Sequence, residues 1–347
     1  MISESLFSNL SKLHSLFLFN NSLSLEFSFD GVPPFQLDVM YLTSCNLGPR
    51  FPNWIRTQRK LSFLDISDVN NSDTIPDEWL EDLPPTIRVL NLSSNQIHGR
   101  LPNVSAKRLN IQGPLPLFPT NLTILKLSKN RFLGSISSLC KISGQLLTLL
   151  DLSHNILSGQ LINCFMHWHK LIILDLAGNN FFGEVPSSLG SLSQLQKLRL
   201  NDNNFSGNLP SSLRNCSSLT IMDLGNNRFS RKIPACIGEG LLRLIFLLLG
   251  SNKFYGSIPL HLCWLKHLQI LDLCLNDISG TIPQCINNFT AMAQKEKFSI
   301  DIVVTIIHGN NLAYLHKYVY STMFVLKRKE CWALWSLVVF DPIDNPT

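Results

Sequence analysis

A repeat with a period close to 24 residues runs through most of this chain. The stretch from Leu171 to Gln194 reads LIILDLAGNNFFGEVPSSLGSLSQ and follows the pattern LxxLxLxxNxFxGxxPxxLxxLxx. Its ninth position is an asparagine, and equivalent asparagines recur from Asn130 to Asn276 at steps of 25, 24, 24, 24, 25 and 24 residues. A fixed period of this length indicates a solenoid, in which each turn buries its apolar face against its neighbours.

The spacing within one turn predicts its local structure. Leu174 and Leu176 are two residues apart, so in a short strand both point inward while Asp175 points outward. Asn179 follows the strand with an amide that both donates and accepts, and it can satisfy backbone groups that no sheet ladder reaches. We therefore predict an α/β repeat solenoid, a superhelix with a parallel sheet on its concave face. The predicted structural asparagines are Asn95, Asn130, Asn155, Asn179, Asn203, Asn227, Asn252 and Asn276.

Three turns depart from the pattern. Cys45 and Val69 replace the asparagine, and Arg231 replaces the usual glycine. Because a valine side chain makes no hydrogen bonds, we predict a weak point in the region of Val69.

The repeats are predicted to occupy residues 1–293 in about eleven turns. Residues 103–121 are irregular, because about ten residues of a normal turn are missing there. This indicates either a local irregularity of the solenoid or a loss of coding sequence. The period is lost after residue 293, so residues 294–347 are expected to form an island-like or poorly ordered tail.

The ends of the chain lack the usual signals for export and anchoring. Met1 to Ser11 has no basic start, apolar segment or cleavage site, so it is not a signal peptide. The first turn has no polar cap, which suggests a fragment. The longer apolar run of the tail, Cys331–Phe340, has ten residues, whereas a membrane-spanning helix needs about 20. We expect no membrane span within this chain.

Composition agrees with a solenoid and gives no sign of a nucleic-acid partner. Hydrophobic residues make up 45% of the chain and charged residues 15%, which is ample for a core. The net charge of +5 is modest, and the only tight basic run is 327–329. A solvated loop explains this run better than a nucleic-acid site.

The LxGxIP element resembles the plant-specific class of extracellular leucine-rich repeats. More narrowly, the segments Val32–Ile55 (VPPFQLDVMYLTSCNLGPRFPNWI), Leu64–Trp79 and Leu268–Gln294 resemble plant receptor-like proteins of the fungal-xylanase-receptor type. This resemblance implies a cell-surface receptor ectodomain for plant defence, at the extracellular face of the plasma membrane. It further implies a microbial protein or peptide as ligand and a receptor kinase as co-receptor that passes on the signal.

Two other functions remain open. One is a secreted decoy or inhibitor, similar to the leucine-rich-repeat proteins that inhibit polygalacturonase. The other is a truncated gene product without function, whose repeats record ancestry only.

Nine cysteines are present, an odd number, so at least one is free or pairs with another chain. Cys140 and Cys164 occupy similar positions in successive turns, as do Cys263 and Cys285, so stacking is expected to bring each pair close enough for a disulfide. The alternative is that they are small buried core residues. No CxxC occurs, and no metal site is expected.

Acceptor sequences for N-glycosylation favour an oxidising, secretory route. A repeat rich in asparagine and serine also produces such sequences by chance. A glycan on Asn91, between two strand leucines, would block part of the concave surface. The acceptors are Asn9, Asn20, Asn70, Asn91, Asn103, Asn121, Asn204, Asn215 and Asn288.

The concave face is the expected ligand site, because its outward side chains are not needed for packing. The column between the strand leucines contains a strip of mixed charge that is suited to orienting a peptide. The alternative is that aspartate is simply the consensus residue of LDLS-type strands. The candidate ligand-binding residues are Lys126, Asp151, Asp175, Arg199 and Asp223.

No catalytic motif supports an enzyme or a cofactor. The phosphate-binding GxxxxGK[ST], the GxSxG elbow and the HExxH zinc motif are all missing from the sequence. His167 and His169 are a close pair, but exposed histidines explain it better than a metal site. We therefore predict a binding protein that is not an enzyme.

Overall fold

Two compact units make up the described part of the chain. The first comprises Met1–Leu171 with Asp175–Phe181, and the second comprises Ile172–Leu174 with Phe182–Thr347. The computed structural model describes residues 2–26, 31–76, 79–101, 119, 121–141, 146–285, 289, 291, 299–308, 312–321 and 336–337.

Each turn contributes one three-residue strand at its LxxLxL segment, and we call these the inner strands. The inner strand Ile173–Asp175 belongs to the turn at which the two units divide. In the first unit the inner strands pair in parallel and in chain order: Ser15–Phe17, Val39–Tyr41, Phe63–Asp65, Val89–Asn91, Ile124–Lys126 and Leu149–Asp151. In the second unit the same arrangement joins Lys197–Arg199, Ile221–Asp223, Phe246–Leu248 and Ile270–Asp272.

A second set of short parallel strands follows the asparagine of each turn, and we call these the flank strands. In the first unit they are His98–Arg100, Arg131–Gly134 and Ile156–Gln160. In the second unit they are Asn204–Gly207, Arg228–Arg231, Lys253–Gly256 and Asp277–Ile278, and Phe182 and Gly183 of the strand Asn180–Gly183 pair with the first of these. Two further short strands, Ile2–Ser3 and Leu25–Glu26, pair in parallel with each other.

In most of the described turns, a short helix forms the side opposite the inner strand. Pro186, Pro210 and Pro259 each stand immediately before one of them, where a fixed φ suits the start of a helix. The 3-10 helices are Glu4–Phe7, Asn53–Thr57, Ser137–Lys141, Phe165–His167, Ser187–Ser191, Ser211–Asn215 and Leu260–Trp264. The α-helices are Trp79–Asp82 and Cys236–Gly240.

The core consists of columns of equivalent side chains. The strand leucines Leu198 and Leu200 are fully buried, as predicted from their spacing. In the second unit Phe205, Phe229 and Phe254 stack with ring centroids 6.1 and 6.2 Å apart and ring planes inclined by only 13°. Each turn therefore buries its apolar residues against identical residues of the next turn, as a solenoid requires.

The asparagine side chains connect successive turns. Asn227 Nδ2 donates to the carbonyl oxygens of Leu224 and Gly225 within its own turn, at 3.1 Å each. It also donates to Leu200 O of the preceding turn at 2.9 Å. In the opposite direction, Asn227 Oδ1 accepts from the backbone N–H of Phe205 at 3.0 Å. The same pattern of donors and acceptors recurs at Asn95, Asn130, Asn155, Asn179, Asn252 and Asn276.

The residue before each asparagine adopts left-handed backbone geometry, whatever its side chain. Its φ lies between +52° and +64° from Ser94 to Leu275, where most turns carry a residue other than glycine. This geometry is uncommon for residues with a Cβ atom. The bend turns the asparagine amide back into the core, and the bonds that the amide forms compensate for the strain.

Cys45 and Val69 occupy the asparagine position, and a different hydrogen bond replaces the asparagine side chain in each case. The Cys45 thiol donates to Leu18 O at 2.9 Å, the bond to the preceding turn that an asparagine would make, and burial raises the pKa of this thiol. At Val69 the backbone carbonyl accepts from the N–H of Leu47 at 3.1 Å, which replaces the missing amide oxygen. Asn70 supplies a second left-handed residue, with φ +61°. The predicted weak point at Val69 stays a prediction, although the N–H of Leu47 has an acceptor here.

The inner strands on either side of the irregular stretch are direct neighbours. The inner strand Val89–Asn91 pairs directly with Ile124–Lys126, with Leu90 opposite Leu125. Asn130 continues the pattern across this turn, since its Oδ1 accepts from the N–H of Ile97 at 3.0 Å. Most of residues 103–121 lies outside the described residues. Strand register and asparagine bonding continue on both sides of this stretch, and the irregularity at residues 103–121 stays a prediction.

Antiparallel strands replace the parallel repeat near the end of the chain. Ser299–His308 and Leu312–Ser321 form a hairpin with Ser299 opposite Ser321. The short strand Ser336–Leu337 pairs antiparallel with the inner strand Ile270–Asp272. The division of the chain at residue 293 stays a prediction.

Replacing Asn227 by alanine is expected to lower the free energy of unfolding by about 3 kcal/mol, because the buried N–H of Phe205 would lose its acceptor. Urea denaturation of the full chain measures this loss. The matched control is Asn208→Ala, at an exposed position one residue past the flank strand Asn204–Gly207, with an expected change below about 0.5 kcal/mol. Equal midpoints for the two variants would contradict a structural role for the asparagine bonds.

Candidate ligand-binding face

Within each unit, the last residues of the inner strands lie in a column, and we call these residues the strand-face column of that unit. The strand leucines on either side of each of these residues point into the core, so the column itself faces away from it. Its members are Phe17, Tyr41, Asp65, Asn91, Lys126, Asp151, Asp175, Arg199, Asp223, Leu248 and Asp272.

In the first unit, Lys126 and Asp151 are direct neighbours in this column. They stand opposite each other in the parallel pairing of their strands, and both are half-buried. Burial lowers the pKa of the Lys126 ammonium, while the charges of Asp151 and Asp65 oppose that change. Burial raises the pKa of the Asp151 carboxyl, and the charge of Asp175 raises it further. The protein therefore holds two charged groups in a place that disfavours their charges, as binding sites commonly do.

Hydrogen bonds hold the Asp151 carboxylate in place. Its Oδ1 accepts from the backbone N–H of Ser153 at 3.1 Å and from the Ser153 hydroxyl at 2.7 Å. Its Oδ2 accepts from the Ser128 hydroxyl at 2.9 Å. These bonds lower the pKa of Asp151 and so oppose the effect of burial.

In the second unit, Arg199 and Asp223 form the equivalent pair. Arg199 Nε lies 3.6 Å from Asp223 Oδ2, and the two residues are opposite each other in their strands. Both side chains are only partly exposed, at 28% and 14%. Each unit thus presents a neighbouring cation and anion on the strand face, an arrangement that can align the charges of a bound peptide.

Most acidic residues of the column also form hydrogen bonds that stabilise the fold. This finding differs from the expectation that outward side chains are not needed for packing. Asp175 is 5% exposed, and its Oδ1 accepts from the N–H of Ala177 at 3.3 Å. Asp223 and Asp272 make the equivalent bond to the residue two positions later. In LDLS-type strands, one carboxylate oxygen of the aspartate therefore accepts a hydrogen bond that closes the turn after the strand. Only the second oxygen, Oδ2, is not used in this bond.

Asp65 and Asn91 are the most strongly bonded members of the column. Asn91 Nδ2 donates to Asp65 Oδ2 at 2.8 Å and to the Ser67 hydroxyl at 3.3 Å, while Asp65 Oδ1 accepts from the hydroxyls of Ser67 and Thr43. Sequence reasoning missed this column of hydroxyls, which lies two residues after the strand-face column. The recurring D-x-S spacing is the signal that indicates it.

Two disulfides link successive turns on the helical side. Cys140 and Cys164 are joined with Cα atoms 5.7 Å apart, and Cys263 and Cys285 with Cα atoms 5.8 Å apart. Cys216 and Cys236 are free and buried, and burial raises the pKa of the Cys216 thiol to about 12. Cross-linked turns of this kind persist in oxidising compartments.

The predicted glycosylation acceptors differ in accessibility. Asn9, Asn20, Asn70, Asn121 and Asn215 are exposed, and Asn204 is partly exposed. Asn103 and Asn288 lie outside the described residues. Asn91 is only 8% exposed and its amide nitrogen makes two hydrogen bonds, so the predicted glycan at this position conflicts with the fold.

Neither metal ligands nor membrane spans are found in the described part of the chain. Within these residues, histidine, cysteine and acidic side chains do not come together in groups suited to a metal ion. His167 is exposed and His169 partly exposed. A helix that is both long and apolar enough to cross a membrane is likewise not found among them.

The repeats match a known family model. The model described as Leucine Rich Repeat matches residues 86–107, 146–168, 170–192, 194–216, 218–239 and 267–289. The predicted leucine-rich-repeat solenoid is thereby confirmed, whereas the plant-specific LxGxIP class stays a prediction.

Among proteins of known sequence, the chain is similar to the receptor-like protein EIX2 of Solanum lycopersicum. The two are 49% identical over 180 residues, which cover 49% of this chain and 18% of EIX2. The chain therefore spans about a fifth of the length of this relative. The predicted resemblance to plant leucine-rich-repeat receptor-like proteins is confirmed.

Solved receptor ectodomains have the same fold. The ectodomain of the membrane receptor kinase GASSHO1/SCHENGEN3 from Arabidopsis thaliana, in complex with CASPARIAN STRIP INTEGRITY FACTOR 2, superposes with a TM-score of 0.67 at 30% identity, covering 82% of this chain and 35% of that one. The Arabidopsis receptor kinase HAESA, in complex with the peptide hormone IDA and the co-receptor SERK1, gives 0.63 at 30% identity and covers 82% and 49%. The repeat family and these ectodomains are non-enzymatic, and so is this chain.

Asp151→Asn is expected to raise stability at neutral pH, because burial and Asp175 raise the pKa of Asp151 and thus disfavour its charged form. Asn91 shows that an amide fits this position, since its Oδ1 accepts from the N–H and the hydroxyl of Ser93 just as Asp151 does from Ser153. With a folded pKa above the unfolded one, the carboxyl binds its proton in the folded state first as the pH falls. The advantage of the variant should therefore be present at pH 7 and disappear as the pH falls through the folded pKa.

Urea unfolding of both proteins between pH 7 and pH 4 measures this difference. Asp68→Asn, at an exposed position, controls for the loss of one negative charge. An advantage of Asp151→Asn that grows toward acid pH would contradict the expected direction of the pKa shift.

Asn91 is expected to carry no glycan in folded protein secreted from eukaryotic cells, because its amide nitrogen is buried in two hydrogen bonds. Asn215, which is exposed, is expected to be modified. Glycopeptide mass spectrometry compares the two sites in one sample. Full occupancy of Asn91 in a folded, soluble product would refute the described bonding of this residue.

Proposed function

We propose that this chain, whose repeats resemble those of plant leucine-rich-repeat receptor-like proteins, is part of a ligand-recognition ectodomain of a plant immune receptor. The ectodomain binds a microbial protein or peptide on its strand face, at the extracellular side of the plasma membrane. It acts through a separate co-receptor that carries a kinase.

The paired charges of the strand-face column carry this proposal. Lys126 with Asp151, and Arg199 with Asp223, lie in the outward column and are held by strands and hydrogen bonds rather than by mobile loops. Such pre-organisation lowers the entropy cost of binding. The proposed ligand-contacting residues are Lys126, Asp151, Asp175, Arg199 and Asp223.

A relative of known sequence and a solved structure both support this proposal. The tomato relative is named as a receptor-like protein, and the structure of HAESA contains both a peptide hormone and a co-receptor. A non-enzymatic solenoid needs such a partner to signal. The two disulfides fit an extracellular location. Residues 294–347 are proposed to form a separate segment after the repeats of residues 1–293.

Binding of a purified fungal xylanase, the ligand class after which the resembling receptor type is named, tests the proposal. The full chain, immobilised on a sensor surface, is expected to bind the xylanase. Lys126→Glu with Arg199→Glu is expected to weaken this binding about fivefold or more, because both changes reverse cations of the strand face.

The matched control reverses two exposed cations in loops after the helical segments, Arg243→Glu with Lys266→Glu. Binding that survives the strand-face variant but not this control would place the ligand elsewhere. Inhibition of xylanase activity by the wild-type chain alone would favour the decoy or inhibitor function instead.

A further inference from the structure

Four exposed cations come together on the flank strands of the second unit. Arg228 and Arg231 bound one flank strand, Lys232 follows it directly, and Lys253 begins the next. In the pairing of these strands, Lys253 stands opposite Ser230 and Arg231 opposite Phe254. All four side chains are exposed. We call these four residues the basic flank cluster.

Arg231 occupies a position at which the other turns use glycine. Four residues after the structural asparagine, seven turns have a glycine with φ between +77° and +106°, from Gly99 to Gly280. Arg231 has φ +75° at the same position. A side chain is disfavoured there, so this turn keeps an arginine against the backbone preference. Non-glycine residues in such geometry cluster at functional sites, and the inference runs from the outlier to a function.

The cluster has no internal anion to neutralise it. In the described part of the second unit, the ion pairs are Arg199 with Asp223, and Glu239 with Arg214 and His261, so none involves the cluster. Among the acidic side chains on nearby turns, Asp202 accepts from Asn226 Nδ2 at 2.7 Å, Glu184 lies beside Gly207, and Asp277 stands opposite Tyr255. In the described second unit, none of these carboxylates forms an ion pair with one of the four cations.

We propose that the basic flank cluster is a docking surface for a carboxylate-rich segment of a partner protein. Arginine guanidinium groups bind carboxylates through two parallel hydrogen bonds, and lysine adds a point charge. Alternate side chains of an extended segment lie about 7 Å apart on one face. Arg228 and Ser230 are likewise two residues apart in their strand, and Lys253 stands opposite Ser230 in the next strand. The spacing of Arg228 and Lys253 along the strand direction therefore matches that of alternate side chains in such a segment. Tyr255 lies in the same strand as Lys253 and is 43% exposed, so its ring is available for an apolar contact.

The surface is separate from the proposed ligand site. The cluster belongs to the flank strands, whereas Arg199 and Asp223 belong to the inner strands. Loss of one kind of binding is therefore distinguishable from loss of the other. The proposal does not depend on which ligand occupies the strand face.

The test compares two double variants of the full chain, each lacking two positive charges. Arg231→Gly with Lys232→Gln removes half of the cluster, and it restores the glycine that the backbone prefers, so the urea midpoint is expected not to fall. Arg243→Gln with Lys266→Gln removes two exposed cations from other loops and is the control. The probe is a fluorescein-labelled octaglutamate peptide, and its binding is followed by anisotropy at low and at physiological salt.

We expect the wild-type chain to bind octaglutamate at low salt. The cluster variant should bind about fivefold more weakly, while the control should change by less than about twofold. Equal losses in both variants would mean that only net charge is sensed and would overturn the proposal. Failure of octaglutamate to bind the wild-type chain would overturn it too, as would cluster-dependent binding of polygalacturonate but not octaglutamate, which would assign the surface to an acidic polysaccharide.

Discussion

The structure depends on hydrogen bonds that buried asparagine side chains make to the backbone. A short parallel strand satisfies only the backbone groups within it, and the chain then bends sharply into the core. At that bend, carbonyl and N–H groups are removed from water without a sheet partner. One amide per turn, exemplified by Asn227, pairs with three carbonyls and one N–H and so connects its own turn to the preceding one. Stacking of turns is therefore secured by polar bonds as well as by the apolar columns.

The same requirement limits how much of the strand face is available for recognition. Residues such as Asp65 and Asn91 lie in the outward column but use nearly all of their hydrogen-bonding capacity within their own turn and on neighbouring turns. Lys126 and Arg199 keep part of their surface exposed beside anionic neighbours. A ligand therefore meets a few oriented charges within a column that is otherwise occupied by the fold.

Departures from the repeat show which constraints are strict. The asparagine position tolerates Cys45, whose thiol donates one of the same bonds, and Val69, whose backbone carbonyl replaces the amide oxygen. The glycine position tolerates Arg231 only with strained backbone geometry. The first two departures have local compensation in hydrogen bonds. For the third, the ion pairs in the described second unit do not include the Arg231 side chain, which is why it points to an external partner.

The sequence alone determined the architecture, because a period of about 24 residues with two inward leucines and one asparagine per turn leaves few ways to bury the apolar side chains. It also indicated the candidate column, since alternation along a strand sets which residues face outward. Only the tertiary structure decided what each outward residue does. Whether Asp151 is held by Ser128 and whether the amide of Asn91 is buried both depend on contacts between turns. Such contacts join residues more than 20 positions apart, and spacing within one turn carries no information about them.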